Sequence, residues 1–325
     1  MELKGILHAA ILGHAVGDAL GVPVEFESRS ELTLCPVTRM IGYGSYDVPA
    51  GTWSDDTSMS LATLDSLSCG LDYRDLMERF CRWANDAEYT PYHEVFDMGI
   101  ATRNALLRYL RREADPLQCG GSGEYDNGNG SLMRILPAAI WTWAKFSGKA
   151  PCPEALDVIY NISSLTHAHL RSKMACGIFT FIVYSLLETP KKSAVISALS
   201  QANCHYRRDD EFRQEIDYFS RLFSDTFIRL PEDEIKSTGY VVDTLEAAIW
   251  CLLTTNSYRE CVLKAVNLGG DTDTDTVAAI AGGLAGILYG PDAIPHEWLE
   301  VLAKREAIED LCDSFYRRAI CPALM

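Results

Sequence analysis

Two short stretches of this chain concentrate oxygen-bearing side chains of the kind that hold a hard cation. They are Gly51-Thr52-Trp53-Ser54-Asp55-Asp56-Thr57 and Gly269-Gly270-Asp271-Thr272-Asp273-Thr274-Asp275-Thr276. One Asp ahead of a helix is an ordinary N-cap. A helix start offers only a few free N–H groups, so two or three adjacent acids exceed what capping needs. Carboxylates and hydroxyls suit Mg²⁺, Mn²⁺ or Ca²⁺ better than a thiol-seeking metal. Taken singly, each stretch also reads as a helix cap with a solvated turn. Brought together, they crowd four or five carboxylates, which repel one another unless cations balance them or several protons stay on.

Three further features stand apart from these stretches. Glu25 follows Gly13-His14-Ala15-Val16-Gly17-Asp18-Ala19-Leu20-Gly21, whose glycine spacing predicts a tightly packed helix ending near Gly21. Glu25 then falls in a loop, where a carboxylate is ordinarily solvated, and Asp18 reads as a structural hydrogen-bond acceptor. Gly120 to Ser131 holds five glycines in twelve residues. Such a loop can turn N–H groups toward an anion. A helix starting at Leu132 would aim its positive end the same way. The alternative is a flexible surface loop, since neither a Walker nor a Rossmann fingerprint is present. His167 and His169, at i and i+2, do not share a helix face, so one is expected in a site and the other as structural or solvated.

The elements that must position these residues are helical almost throughout. Asp72 is expected to cap a helix with the apolar face Leu76, Met77, Phe80, Trp83 and Ala84, after a stop at Cys69-Gly70. Val95, Met98, Ala105, Leu106 and Tyr109 predict another helix, and Val241, Leu245, Ala248, Ile249 and Leu252 a third. Ser257 to Glu260 fits a capping box, with Gly269-Gly270 closing that helix. The run from Ala278 to Ile287 has Gly or Ala at almost every turn, which suits a central helix that neighbours approach closely. No run of alternating strands occurs. The fold is expected to be all-α, a single compact multi-helix bundle forming one domain over residues 1–325.

Composition narrows the function. The 325 residues are 48% hydrophobic, enough for a large core, and the net charge is −16. Such an acidic surface argues against broad nucleic-acid binding and against anionic membranes. Eleven cysteines without a CxxC pair read as small apolar residues in a reducing cytoplasm. The longest nearly uncharged run, Met174–Leu187, has 14 residues, short of the roughly 20 that span a bilayer. The N-terminal sequence does not have the form of a signal peptide. A cytoplasmic location is expected.

These motifs, in this order, resemble the ADP-ribosylglycohydrolases. The resemblance runs through Gly17-Asp18 to Glu25, Gly51 to Thr57, Gly128 to Arg134, Thr166-His167, Gly239 to Ala248, and Gly269 to Thr274. It implies an orthogonal helix bundle of that family's type with two Mg²⁺ or Mn²⁺ ions. Carried over by position, the metal ligands are Ser54, Asp55, Asp56, Asp271, Asp273 and Thr274. Asp275 stands outside that set, as a supporting or solvated acid. Asn129, Gly130, Ser131 and His167 are implied as ADP-ribose contacts. Asp56 and Glu25 are the candidate proton acceptors. Ser54 replaces the Thr of many members and keeps the ligating hydroxyl.

The implied reaction is hydrolysis of the glycosidic bond at C1″ of ADP-ribose, through an oxocarbenium-like transition state. The partner is an ADP-ribosylated protein or another ADP-ribose conjugate, with arginine as the first-choice linkage. Serine- or O-acetyl-ADP-ribose-directed hydrolysis and a non-catalytic ADP-ribose binder are the alternatives. An isoprenoid synthase, the other Mg²⁺-dependent all-α candidate, needs Asp-Asp-x-x-Asp, whereas Met59 stands at the fifth position here.

Overall fold

The computed structural model describes residues 2–269 and 273–321, and Asp271 lies outside the described residues. The architecture is all-α. Among the described residues no strand forms, and the only extended pairings are isolated bridges of Gly121 with His167 and of Gly128 with Tyr240.

Two helices form the spine of the molecule. The Leu3–Gly21 helix and the Thr274–Tyr289 helix are buried along most of their length. Small residues let them pack backbone against backbone. A Cβ added at Gly13 would lie 2.6 Å from the Gly282 carbonyl oxygen, and one at Gly17 would overlap the Ala278 carbonyl. A side chain at either position would drive the pair apart. The Tyr258–Val266 and Val241–Thr254 helices flank the spine, and the predicted stripe from Val241 to Leu252 is wholly buried. The Leu3–Val24 segment and the Leu170–Glu188 helix are apolar and long enough to cross a bilayer by composition, yet 89% and 78% of their most apolar windows are buried inside the fold. Here they serve as core.

Several predicted ends fall where expected. The Asp72 carboxylate accepts the N–H groups of Arg74 (2.8 Å) and Asp75 (3.2 Å) at the start of the Tyr73–Asp86 helix. Leu76, Met77, Phe80 and Trp83 are buried beneath it, with Ala84 half-buried. The preceding helix ends at Ser68, followed by Gly70 at φ +112°. Ser257 accepts the Glu260 N–H (3.1 Å), but the Glu260 carboxylate receives the Asn256 N–H and not that of Ser257, so the box is half formed.

Two boundaries differ from expectation. The helix assigned from Val95 begins at Ile100. Ala87, Tyr89, His93 and Asp97 all have positive φ, a left-handed backbone incompatible with continuous helix. The helix placed after Ser131 begins only at Leu136, where Pro137 suits the first turn, and residues Asn129–Ser131 form a short 3₁₀ turn.

Candidate metal and ADP-ribose site

Each acidic stretch becomes a helix start. Ser54 caps the Asp55–Ser68 helix, its hydroxyl accepting the Asp56 N–H at 3.3 Å, and Asp273 occupies the cap position of the Thr274–Tyr289 helix. Asp18, on the first helix, reaches across to the same start. It accepts the N–H groups of Ser54 (2.9 Å) and Thr57 (3.0 Å) and the Thr57 hydroxyl (2.6 Å). That is the structural acceptor expected of Asp18, and it fixes the Asp55 helix against the spine. Asp18 also takes part in the acidic cluster.

Spine packing brings the carboxylates together. One oxygen each from Asp18, Asp56 and Asp275 lie within 4.8 Å of one another, and so do one each from Glu25, Asp273 and Asp275. Asp275 joins the two groups. It is fully buried, so it is not a solvated acid. Glu25 is not solvated either. A 3₁₀ turn over Val22–Val24 carries it back into the protein, where it is 1% exposed. Neither Asp56 Oδ1 nor Asp275 Oδ2 has a hydrogen-bond partner among the described residues, and the Tyr46 hydroxyl is the polar group beside the buried Glu25 carboxyl. Asp56 Oδ2 accepts the hydroxyls of Ser54 and Thr276, each at 3.1 Å. The Thr274 hydroxyl donates to the Val24 carbonyl (3.4 Å), beside Glu25.

The electrostatics match this geometry. Burial raises the pKa of Asp55, Asp56 and Asp275 well above the carboxylate range, and neighbouring carboxylates add to it. Burial, with the charge of Asp97, lifts Glu25 to about 9, and burial lifts Asp18 to about 6. Buried oxygens left unpaired carry a large desolvation cost. A hard cation among them removes both the cost and the repulsion. The donor set, all carboxylate and hydroxyl oxygen, fits such an ion.

Above the cluster opens a cleft of about 280 Å³, whose lining includes Asp55, Asp97, Asn129, Gly130, His167 and Asp273. Asn129 donates its amide to Asp273 (2.7 Å) and to the Thr244 hydroxyl (3.1 Å), tying the glycine-rich loop to the second acidic stretch. His167 is buried against Gly128 and Gly130, and burial depresses it to about 3, so it is neutral. Ser131 lies apart from the cleft, its hydroxyl held in the core by Ser163 (2.9 Å) and close to the Cys176 sulfur (3.5 Å). The loop is not an open nest of N–H groups. Gly121 donates to the Thr166 carbonyl, Gly123 to the Asp126 carboxylate and Asn129 to the Gly239 carbonyl. His169 caps the Leu170–Glu188 helix through the Arg171 N–H (3.1 Å), the structural role left for one of the two histidines.

Sequence reasoning missed Asp97 and Thr276. Asp97 is raised by burial, and then by the charge of Asp273, to about 6. The hydrophobic spacing around it mimics a helix and hides a loop acid, so no local signal marks it. Thr276 sits within the second acidic stretch, and its hydroxyl on Asp56 becomes visible only in three dimensions. An adjoining cleft of about 500 Å³ shares Tyr125, Gly128 and Gly239 with the first. In it Arg171 lies 3.4 Å from the Tyr218 ring centre and pairs with Glu124 (2.9 Å) and Glu215 (2.8 Å).

An all-helical bundle with an acidic, hydroxyl-lined pocket at two helix starts has groups that could hold a divalent metal ion. Residues 3–322 match the ADP-ribosylglycohydrolase family, and the chain belongs to it. It is 35% identical to the ADP-ribosylarginine hydrolase Tri1 of Pseudomonas putida (strain GB-1), over 95% of this chain and 77% of that protein. It is 31% identical to the ADP-ribosyl-[dinitrogen reductase] glycohydrolase of Rhodospirillum rubrum, over 90% of this chain and 88% of the relative. A solved structure described as an ADP-ribosylglycohydrolase-related protein complex superposes with a TM-score of 0.79 at 33% identity, covering 97% of this chain and 98% of that one.

Proposed function

We propose that this chain removes ADP-ribose from modified arginine side chains by hydrolysing the glycosidic bond at C1″, with two Mg²⁺ or Mn²⁺ ions bound. The observation that carries the reading is the pair of carboxylate clusters joined at Asp275, in which Asp56 Oδ1 and Asp275 Oδ2 are buried with no hydrogen-bond partner among the described residues. Ser54, Asp55, Asp56, Asp273 and Thr274 would hold the ions together with Asp271, and Asp275 joins them. Bound there, divalent ions supply polarisation of water and of the ribose hydroxyls.

The chain's own residues do the rest. Glu25 and Asp56 are the candidate proton acceptors. Each accepts a proton only as a carboxylate, so their raised pKa values make a filled cluster a precondition of that role. Asp97 lines the cleft and ionises near neutrality. An anionic wall there favours a guanidinium leaving group over a serine hydroxyl. Asn129, Gly130 and His167 orient the ADP-ribose, and the tyrosine-lined cleft beyond Gly128 has room for its adenosine end. The names of the relatives support the same reaction.

A panel of ADP-ribosyl-arginine, ADP-ribosyl-serine and O-acetyl-ADP-ribose, assayed with Mg²⁺ or Mn²⁺ and again after chelation, tests this. Release from the arginine conjugate that stops on chelation is expected. Turnover of the serine conjugate alone moves the assignment to that linkage. Full activity in chelator defeats the metal mechanism, and ADP-ribose binding without turnover of any conjugate favours a non-catalytic binder.

A further inference from the structure

His167 reaches the cleft with its ring nitrogens in different settings. Its Nδ1 lies 2.7 Å from the Thr166 hydroxyl, and Nε2 makes no hydrogen bond among the described residues. The ring packs behind the glycine-rich loop, where a Cβ at Gly130 would lie 2.8 Å from its Cε1 and one at Gly128 3.5 Å from Nε2. The same Thr166 hydroxyl receives Arg134 Nη2 at 2.6 Å. Arg134 is itself fully buried and held by the carbonyls of Gly130 and Ile162 and by the Phe80 ring, 4.8 Å from its centre.

Counting donors decides the proton positions. A guanidinium only donates, so Thr166 Oγ1 accepts from Arg134. Thr166 is completely buried, and Nδ1 is the sole acceptor near its hydroxyl proton among the described residues. Were Nδ1 protonated, that hydroxyl would receive two donors while its own proton had no acceptor, a costly arrangement in a buried site. The charge of Arg134 also disfavours a second positive charge on the ring.

We infer that Arg134 and Thr166 are positioning residues that lock His167 as the tautomer protonated at Nε2, so that the cleft receives a neutral hydrogen-bond donor for an oxygen of the ADP-ribose unit. A neutral donor adds orientation without adding a cation to a site that must hold metal ions, and it offers no lone pair with which to ligate one. The inference rests on the functional reading for its ligand. The tautomer itself does not.

Long-range ¹H–¹⁵N correlation spectra of the full chain read the tautomer directly, and calorimetry with ADP-ribose reads its consequence. A single species with the proton on Nε2 is expected. In Thr166→Val the single fixed tautomer should give way to a mixture, and ADP-ribose should bind about tenfold more weakly. Thr166→Ser should restore both. A proton on Nδ1 in the unaltered chain overturns the inference even if Thr166→Val fails to fold. So does a folded Thr166→Val that keeps the same tautomer and affinity. If the unaltered chain shows the Nε2–H form but binds no ADP-ribose, the functional reading falls and the tautomer lock stands.

Discussion

The Asp55–Ser68 helix carries acids toward both ends, and the protein treats them oppositely. Near its end, Asp65 meets Arg79, which also binds Asp75 (2.8 Å), while the Tyr89 hydroxyl donates to Asp65 (2.8 Å). Burial pushes Asp75 up, but the hydrogen bonds from Arg79 and Ser66 outweigh it and hold its pKa below the ordinary value. At the start, Asp55 and Asp56 are more deeply buried, and the charges acting most strongly on them belong to other carboxylates. One helix thus shows both a closed account of charge and an open one. The fold pairs a guanidinium with the acids at one end, while among the described residues no ion pair reaches Asp55 or Asp56 at the other, a setting suited to an ion from outside.

The sharpest break of this contrast is chemical. Asp56→Ala, and separately Asp273→Ala, should lower release of ADP-ribose from the arginine conjugate by at least about a thousandfold, roughly 4 kcal/mol of barrier. Circular dichroism should show the helices intact. Next comes the ion itself. Mg²⁺ at a hundred times its dissociation constant should stabilise the unaltered chain by about 2.7 kcal/mol. Asp275→Asn should lose most of that gain yet melt higher than the unaltered chain without metal at neutral pH, because a buried amide need not take up a proton on folding as Asp275 does; a lower metal-free melting temperature would contradict the open account.

Acidity tests the same contrast more gently. In metal-free protein, Asp97 is raised from 3.8 to about 6 and Glu25 from 4.5 to about 9. The folded chain therefore holds more protons than the unfolded chain between each pair of values. The stability this contributes is fully present below the ordinary values and is lost as pH rises through about 6 and then about 9. Thermal melts in chelator should fall across that window, and saturating Mg²⁺ should flatten the decline. The smallest effect belongs to the closed end. Arg79→Met should cost about 1–2 kcal/mol in urea unfolding, since both carboxylates keep partial contact with water, and should leave hydrolysis unchanged.

The helical framework of this candidate site is legible in the sequence. Acid and hydroxyl at adjacent positions ahead of apolar helices is a local pattern, and both acidic stretches do start helices. Asp72 and Ser257 were readable as caps for the same reason. What escaped is set by distant contacts. Glu25 looks like a loop residue until the turn at Val22–Val24 folds it inward. Asp275 looks like a spare acid until the spine places it between Asp56 and Glu25. Asp97 is concealed because Val95 and Met98 continue a helical spacing that positive-φ residues then break. Ser131 belongs to a plausible anion loop, yet its hydroxyl is drawn into the core by Ser163.

The glycine contacts of the spine have one more consequence. Because Gly13 and Gly17 seat main chain directly on main chain, the separation of Asp18 from Asp275 is set by two rigid rods and not by flexible side chains. Among the described residues the Asp18 and Asp275 sides of the candidate cage are thus held by the spine, and an ion bound there would not need to order them. Widening the seam at a residue remote from the cleft, as Gly13→Ala would, should weaken ion affinity without touching a single ligand.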